Sequence, residues 1–185
     1  MERVIKKVAI AGAGVMGSSI AQYFAERGLE VIVYDIVQAS LDKIDQTICE
    51  NQQLLIERGA LSAEQAAEAR ARVTTTNTLE DFAQVDLVIE AIIEKMEIKQ
   101  NFWEEVSKIA KPDCLLCTNT SGLSITKICA KVQGKERFCG MHWFNPSHIV
   151  PLIEVIRGDE TAEETANTVF DFSLRIGKQP IHVKK

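Results

Sequence analysis

Residues 8–17 read VAIAGAGVMG, an apolar run that empties into three glycines, Gly12, Gly14 and Gly17, in the pattern GxGxxG. A glycine pattern of this kind recurs by chance, so its surroundings carry the argument. An amphipathic stretch follows it, with Ile20, Phe24 and Arg27 at helical spacing and Gly28 placed to end the helix. A second apolar run, VIVYD (31–35), then closes on Asp35, 18 positions after Gly17. Strand, glycine turn, helix, strand and acid make up the dinucleotide-binding arrangement, in which the acid stands about 20 residues on.

Each residue type in that arrangement has a physical task. Gly12 permits the tight turn, Gly14 lets backbone approach a pyrophosphate, and Gly17 lets the helix pack on the strand. Together with Ala13, Val15 and Met16 they open a helix whose free N–H groups and positive dipole favour phosphates. Asp35 would accept hydrogen bonds from both hydroxyls of an adenosine ribose and repel a 2′-phosphate. Ile36 and Val37 supply no arginine to hold one, so the pattern selects NAD over NADP.

The same alternation continues along the chain. Further strands are predicted at RVTTT (72–76), DLVIEA (86–91), LLCTNT (115–120), RFCGMH (137–142), LIEVI (152–156) and PIHV (180–183). Helices are predicted at 15–27, 37–58, 62–71, 95–110, 124–132 and 161–176, the last opening on a capping box, TAEE, with Thr161 as cap and Glu164 as its partner. Strands alternating with amphipathic helices imply α/β architecture. The expected fold is a Rossmann-type doubly wound, mainly parallel sheet. The long polar stretch 37–72, broken near RGALS (58–62), reads as a helical hairpin projecting from it, with Arg58 near the tip.

Bulk properties exclude several classes. A chain of 185 residues that is 46% hydrophobic suits one globular domain. A net charge of −5 argues against a nucleic-acid or anionic-membrane surface. The N-terminal stretch lacks the order of a signal peptide and no apolar run approaches a membrane span, so a cytoplasmic location is expected. Five cysteines do not suggest a disulfide framework. Cys114 and Cys117 form one CxxC in the apolar run CLLC without a second pair, and no metal is assigned.

The later strand ends carry polar residues where open α/β sheets bind ligands. EAIIE (90–94) places Glu94 there, and TNTSG places Asn119 and Ser121. An NAD enzyme that oxidises an alcohol needs a base for the hydroxyl proton, and histidine suits the task. His182 lies in PIHV near the end of the sequence and reads as structural or exposed, while His148, in the loop NPSHIVP, is the weaker alternative. His142 in MHWFNP ends a strand on the crevice side, and LIEVI returns Glu154 beside it. A carboxylate there would fix the imidazole tautomer and stabilise the imidazolium formed in oxidation.

GAGVMG, EAIIEKMEIKQNFW, TNTSGLSI, GMHWFNP and LIEVI occur in the order and spacing of the 3-hydroxyacyl-CoA dehydrogenases, which the chain resembles over essentially its whole length. The bacterial 3-hydroxybutyryl-CoA dehydrogenases look closest. The resemblance implies His142 as catalytic histidine, Glu154 as its partner, Ser121 near the substrate 3-oxygen and nicotinamide, and Asn145 lining the nicotinamide. It implies cofactor contacts at Glu94 and Lys99, and CoA contacts at Asn51 and Arg58, although Asn51 stands where the family has serine. Trp143 stands in place of a more usual phenylalanine and is expected to keep an aromatic wall at the site.

The resemblance further implies a helical domain beyond the strand at PIHVKK, supplying homodimer contacts and part of an acyl-CoA pocket. On that reading residues 1–185 are the NAD-binding half, expected to bind NAD with weak or absent turnover. Two other readings stand beside it. One is a dehydrogenase of free 3-hydroxy acids, which usually relies on a lysine base. The other is a catalytically silent NAD-binding or structural module.

Overall fold

The computed structural model describes residues 4–183. The chain runs β1 (Lys7–Ala11), α1 (Val15–Ala25), β2 (Glu30–Tyr34), α2 (Gln38–Leu41), α3 (Ile44–Glu57), α4 (Ala63–Arg70), β3 (Val73–Thr76) and β4 (Leu87–Glu90). It continues through α5 (Met96–Ile109), β5 (Leu115–Thr118), α6 (Ile125–Ile128), β6 (Phe138–Trp143), β7 (Leu152–Ile156), α7 (Glu163–Arg175) and β8 (Gln179–Val183). The strands form one sheet in the order β3-β2-β1-β4-β5-β6-β7-β8.

Strand alternation divides the core between the two faces of the sheet. Val8 and Ile10 of β1 point to one face, with Ile20 and Phe24 of α1, Ile48 of α3, and Val169 and Phe172 of α7. Ala9 and Ala11 point to the other, with Trp103 and Val106 of α5 and Ile128 of α6. Because helices cover both faces, the central strands are buried on both sides and read as unbroken apolar runs. Trp103 is fully buried, and truncating such a side chain to alanine costs about 3–5 kcal/mol.

Strand order reverses direction at β1, which lies between β2 and β4, so the C-terminal ends of β1 and β4 diverge into a crevice. A second change of direction shapes the site. Strands β1 to β6 are parallel, but β7 runs antiparallel to β6, and β8 is parallel to β7. The antiparallel register sets His142 opposite Glu154.

The predicted helix over 37–58 is two helices, α2 and α3, separated near Asp42–Lys43. The hairpin projects only at its tip. Ile44, Ile48 and Gln52 of α3 and Ala66 and Ala69 of α4 are buried, whereas no residue from 53 to 65 is. Its root is tied to α1 through polar bonds, Gln52 donating to Glu26 and Arg70 to Gln52. The capping box expected at Thr161 is absent, because that hydroxyl donates instead to Phe138 O and accepts from Gly158 N–H. A capping box does form at Ser62 and Gln65, where RGALS breaks the hairpin. Among the described residues no helix is long and apolar enough to cross a membrane.

Candidate active site

At the crevice, backbone meets backbone. Gly12 has φ +105°, and a Cβ there would lie 2.6 Å from Ala91 O. A Cβ on Gly17 would lie 1.7 Å from Gly12 O, so α1 sits on the turn at a distance only glycine allows. At Gly14 nothing stands within 4 Å of an added Cβ, so its lack of a side chain serves an approach from outside the chain. Gly14 begins α1 without a side-chain cap and with no acid in the first turn, which leaves the helix N-terminus suited to an anion. Ala13, Val15 and Met16 follow that turn as the sequence places them.

Beside it lies a cavity of about 500 Å³, with Ile92, Ile93, Ile98 and Phe102 on one side and Asp35, Ile36 and Val37 on the other. Asp35 shapes this wall through its own backbone bonds. Its Oδ2 accepts from Ala13 N–H at 2.8 Å and its Oδ1 from Val37 N–H at 2.9 Å. A carboxylate offers about four acceptor positions, so two remain for ribose hydroxyls. An open helix N-terminus, an apolar slot and an acid with spare acceptors fit a dinucleotide such as NAD.

Glu94 organises the next strand end. Its carboxylate accepts from the Thr120 hydroxyl and from the N–H groups of Ser121 (3.1 Å) and Gly122 (3.4 Å). Burial works to raise its pKa, but Thr120, Lys99 and the Ser121 amide outweigh burial and hold it below the ordinary range. Lys99 was expected at the cofactor, but its side chain is 1% exposed. It bonds Glu90, stands 3.2 Å from Glu94 and donates to Ile92 O at 3.4 Å, so it supports the crevice wall from behind. Glu90 is fully buried and also accepts from Trp103 Nε1, Thr118 Oγ1 and Ile92 N–H. Glu90 was not among the residues expected at the site; its signal in the sequence is a carboxylate ending an apolar strand nine residues before a lysine.

His142 lies between two partners. Its Nδ1 is 2.8 Å from Glu154 Oε2, and its Nε2 is 3.1 Å from Ser121 Oγ. The Phe144 ring lies 4.6 Å from the imidazole. Both ionisable side chains are largely covered, His142 at 14% and Glu154 at 28% exposure. A carboxylate on Nδ1 favours the tautomer with its proton there, leaving the Nε2 lone pair toward Ser121 and the crevice. Asn119 supports the strand end by accepting from Trp143 N–H at 2.7 Å.

The other expected residues fall in separate places. Asn145 is exposed in the loop after β6, next to Pro146, and Asn51 and Arg58 stand on the helical hairpin rather than at the strand ends. Trp143 does not wall the site. Strand alternation turns it to the opposite face from His142, where it packs edge-on to Tyr23 and Phe24. Of the two aromatics that follow His142, Phe144 is the one that lies against its ring. His182 is exposed and stacks on Phe170. Cys114 and Cys117 are buried, and no group of three or more metal-ligating side chains occurs among the described residues.

Comparison with known proteins matches this geometry. The family model for the 3-hydroxyacyl-CoA dehydrogenase NAD binding domain covers residues 7–185. The chain is 38% identical over 182 residues to the fatty acid oxidation complex subunit alpha of Psychrobacter arcticus, covering 97% of this chain and 25% of that one. It is 37% identical over 179 residues to a 3-hydroxybutyryl-CoA dehydrogenase of Clostridioides difficile, covering 97% of this chain and 64% of the relative. The solved (S)-3-hydroxybutyryl-CoA dehydrogenase of Ralstonia eutropha superposes with a TM-score of 0.95 at 37% identity, over 98% of this chain and 64% of that one. The chain thus spans a quarter of the first relative and just under two thirds of the other two.

Proposed function

Since the chain belongs to the 3-hydroxyacyl-CoA dehydrogenase family, whose NAD-binding domain it carries, we propose that it interconverts (S)-3-hydroxyacyl-CoA and 3-oxoacyl-CoA, with 3-hydroxybutyryl-CoA as the substrate its relatives point to. The observation that carries this reading is the His142–Glu154 pair at a strand end, with Nε2 turned to Ser121 Oγ at 3.1 Å.

In the oxidation direction His142 Nε2 takes the proton of the substrate 3-hydroxyl, and Ser121 Oγ donates a hydrogen bond to the same oxygen. Glu154 holds the ring in place and stabilises the imidazolium that results. In reduction the protonated Nε2 returns its proton to the 3-oxygen. NAD, when bound, supplies the hydride acceptor. The amides that open α1 would hold its pyrophosphate, Asp35 would take the adenosine ribose, and Asn145 would line the nicotinamide side. Glu94, backed by Lys99, keeps the loop of Ser121 in place. Asn51 and Arg58 contact CoA from the hairpin.

Within the same proposal, residues 1–185 are the NAD-binding domain, and the family's helical domain supplies the homodimer contact and the remaining pocket wall. A cytoplasmic location belongs to the same proposal. The test is His142→Ala in the complete enzyme, assayed by NADH-dependent reduction of acetoacetyl-CoA. Turnover disappears while NADH affinity is kept; retained turnover sinks the assignment. Free 3-hydroxybutyrate as the preferred substrate would move the protein to the free-acid dehydrogenases.

A further inference from the structure

We propose that Ser19, His148 and Lys178 are positioning residues that seat the 144–150 loop between α1 and the acid–base hairpin, and that this seat aligns His142 with Glu154. The proposal rests on the catalytic reading above.

The 144–150 loop joins β6 to β7 and is gripped from two sides. On one side is Ser19, 2% exposed and about one turn into the helix that opens at Gly14. Its Oγ accepts from His148 N–H at 3.1 Å and lies 2.8 Å from His148 Nδ1. Both contacts are hydrogen bonds when the serine hydroxyl donates to an unprotonated Nδ1. Burial pushes the His148 pKa below the ordinary histidine value, which keeps the ring in that neutral form. The neighbouring Ser18 spends its hydroxyl on the helix carbonyl of Gly14, as serines in helices commonly do. Ser19 bonds the loop instead.

On the other side is Lys178, just before β8 and 3% exposed. Its Nζ donates to Ser147 O and Val150 O, each at 2.6 Å. Among the described residues no carboxylate pairs with it. Its charge faces those two carbonyls and the rings of Tyr23 at 3.8 Å and Trp143 at 5.0 Å. Burying an ammonium without a carboxylate is costly, and here the compensation comes from the loop backbone and the aromatic faces.

The seat has leverage on the reaction centre. Trp143, adjacent to His142, rests on Tyr23 and Phe24 of α1 and under Lys178. The helix that offers its N-terminus to phosphate therefore also holds the loop between His142 and Glu154. A shift of about 1 Å at a general base can cost as much as a hundredfold in rate, so loosening the loop should be read in turnover before binding.

The test compares Ser19→Ala, which removes both bonds and favours the helix it sits in, with His148→Leu and His148→Asn. Asparagine places an amide group where Nδ1 stands. For Ser19→Ala and His148→Leu, kcat for acetoacetyl-CoA reduction falls about tenfold, NADH affinity stays within about twofold, and amide exchange quickens in 144–150. His148→Asn recovers most of the loss. Unchanged kcat and unchanged exchange in both damaging variants overturn the proposal, as does a loss of NADH affinity in step with kcat. If His142→Ala keeps its turnover, the catalytic reading fails on its own, and the exchange data still judge the seat.

Discussion

His142 and Glu154 are register partners on neighbouring antiparallel strands, and their side chains meet at 2.8 Å. Glu154→Gln keeps an acceptor at the imidazole but removes the charge that stabilises the protonated ring. Turnover should fall on the order of 100-fold with little change in NADH affinity, as measured by steady-state reduction of acetoacetyl-CoA.

The tasks of Gly14 and Gly17 separate by substitution. Gly17→Ala drives a methyl into Gly12 O and should destabilise the fold by about 3 kcal/mol or more, seen as a lower urea midpoint. Gly14→Ala meets nothing in the chain. It should fold with an unchanged midpoint and yet weaken NADH binding about tenfold, because its methyl stands where the pyrophosphate approaches.

The buried pair Glu90–Lys99 should behave as a unit. Lys99→Met leaves Glu90 charged in the core and should cost about 3–5 kcal/mol. Adding Glu90→Gln removes that stranded charge, so the double variant should be more stable than the sum of the single losses predicts, by about 1–3 kcal/mol in a double-mutant cycle.

Lys178 gives a pH signature of known sign. Burial first, and the Arg27 charge second, push its pKa down to about 8 from 10.5. Between those values the unfolded chain carries more protons than the folded one, so raising the pH favours folding. Tyr23 of α1, Arg27 just past the end of that helix and His148 of the loop are the titratable groups near this amine. Burial raises the Tyr23 pKa and lowers those of Arg27 and His148, and all three groups are present in both proteins, so the comparison with Lys178→Met isolates the lysine. Relative to Lys178→Met, stability should rise by on the order of 2–3 kcal/mol between about pH 8 and 10.5 and stay flat below, by urea unfolding.

The parts of the fold legible in sequence were those specified locally. The strand, glycine turn and helix at 8–17 declare themselves through neighbours, and the facing of His142 and Glu154 follows from a short return between two strands. Tertiary choices were not legible. Thr161 looks like a cap until its hydroxyl finds Phe138 O, 23 residues away in sequence. Lys99 looks available to a ligand until Glu90 draws it inward. His148 looks like a spare base until it meets Ser19, 129 residues away. Trp143 was assigned to the wrong face because a strand ending in an irregular loop gives no cue to where its alternation stops.

The reversal at β7 has a consequence for how the molecule assembles itself. The acid–base pair closes a loop with a sequence separation of only 12. The turn at Gly12, in contrast, leans on Ala91, and the seat of the loop on Ser19 waits for contacts from the opposite end of the chain. Short-range pairings carry a small loop-closure cost, so the His142–Glu154 contact takes less chain entropy to close than the turn at Gly12 or the seat on Ser19. The nucleotide crevice, by contrast, is closed by contacts that span a far longer stretch of chain, from Gly12 to Ala91.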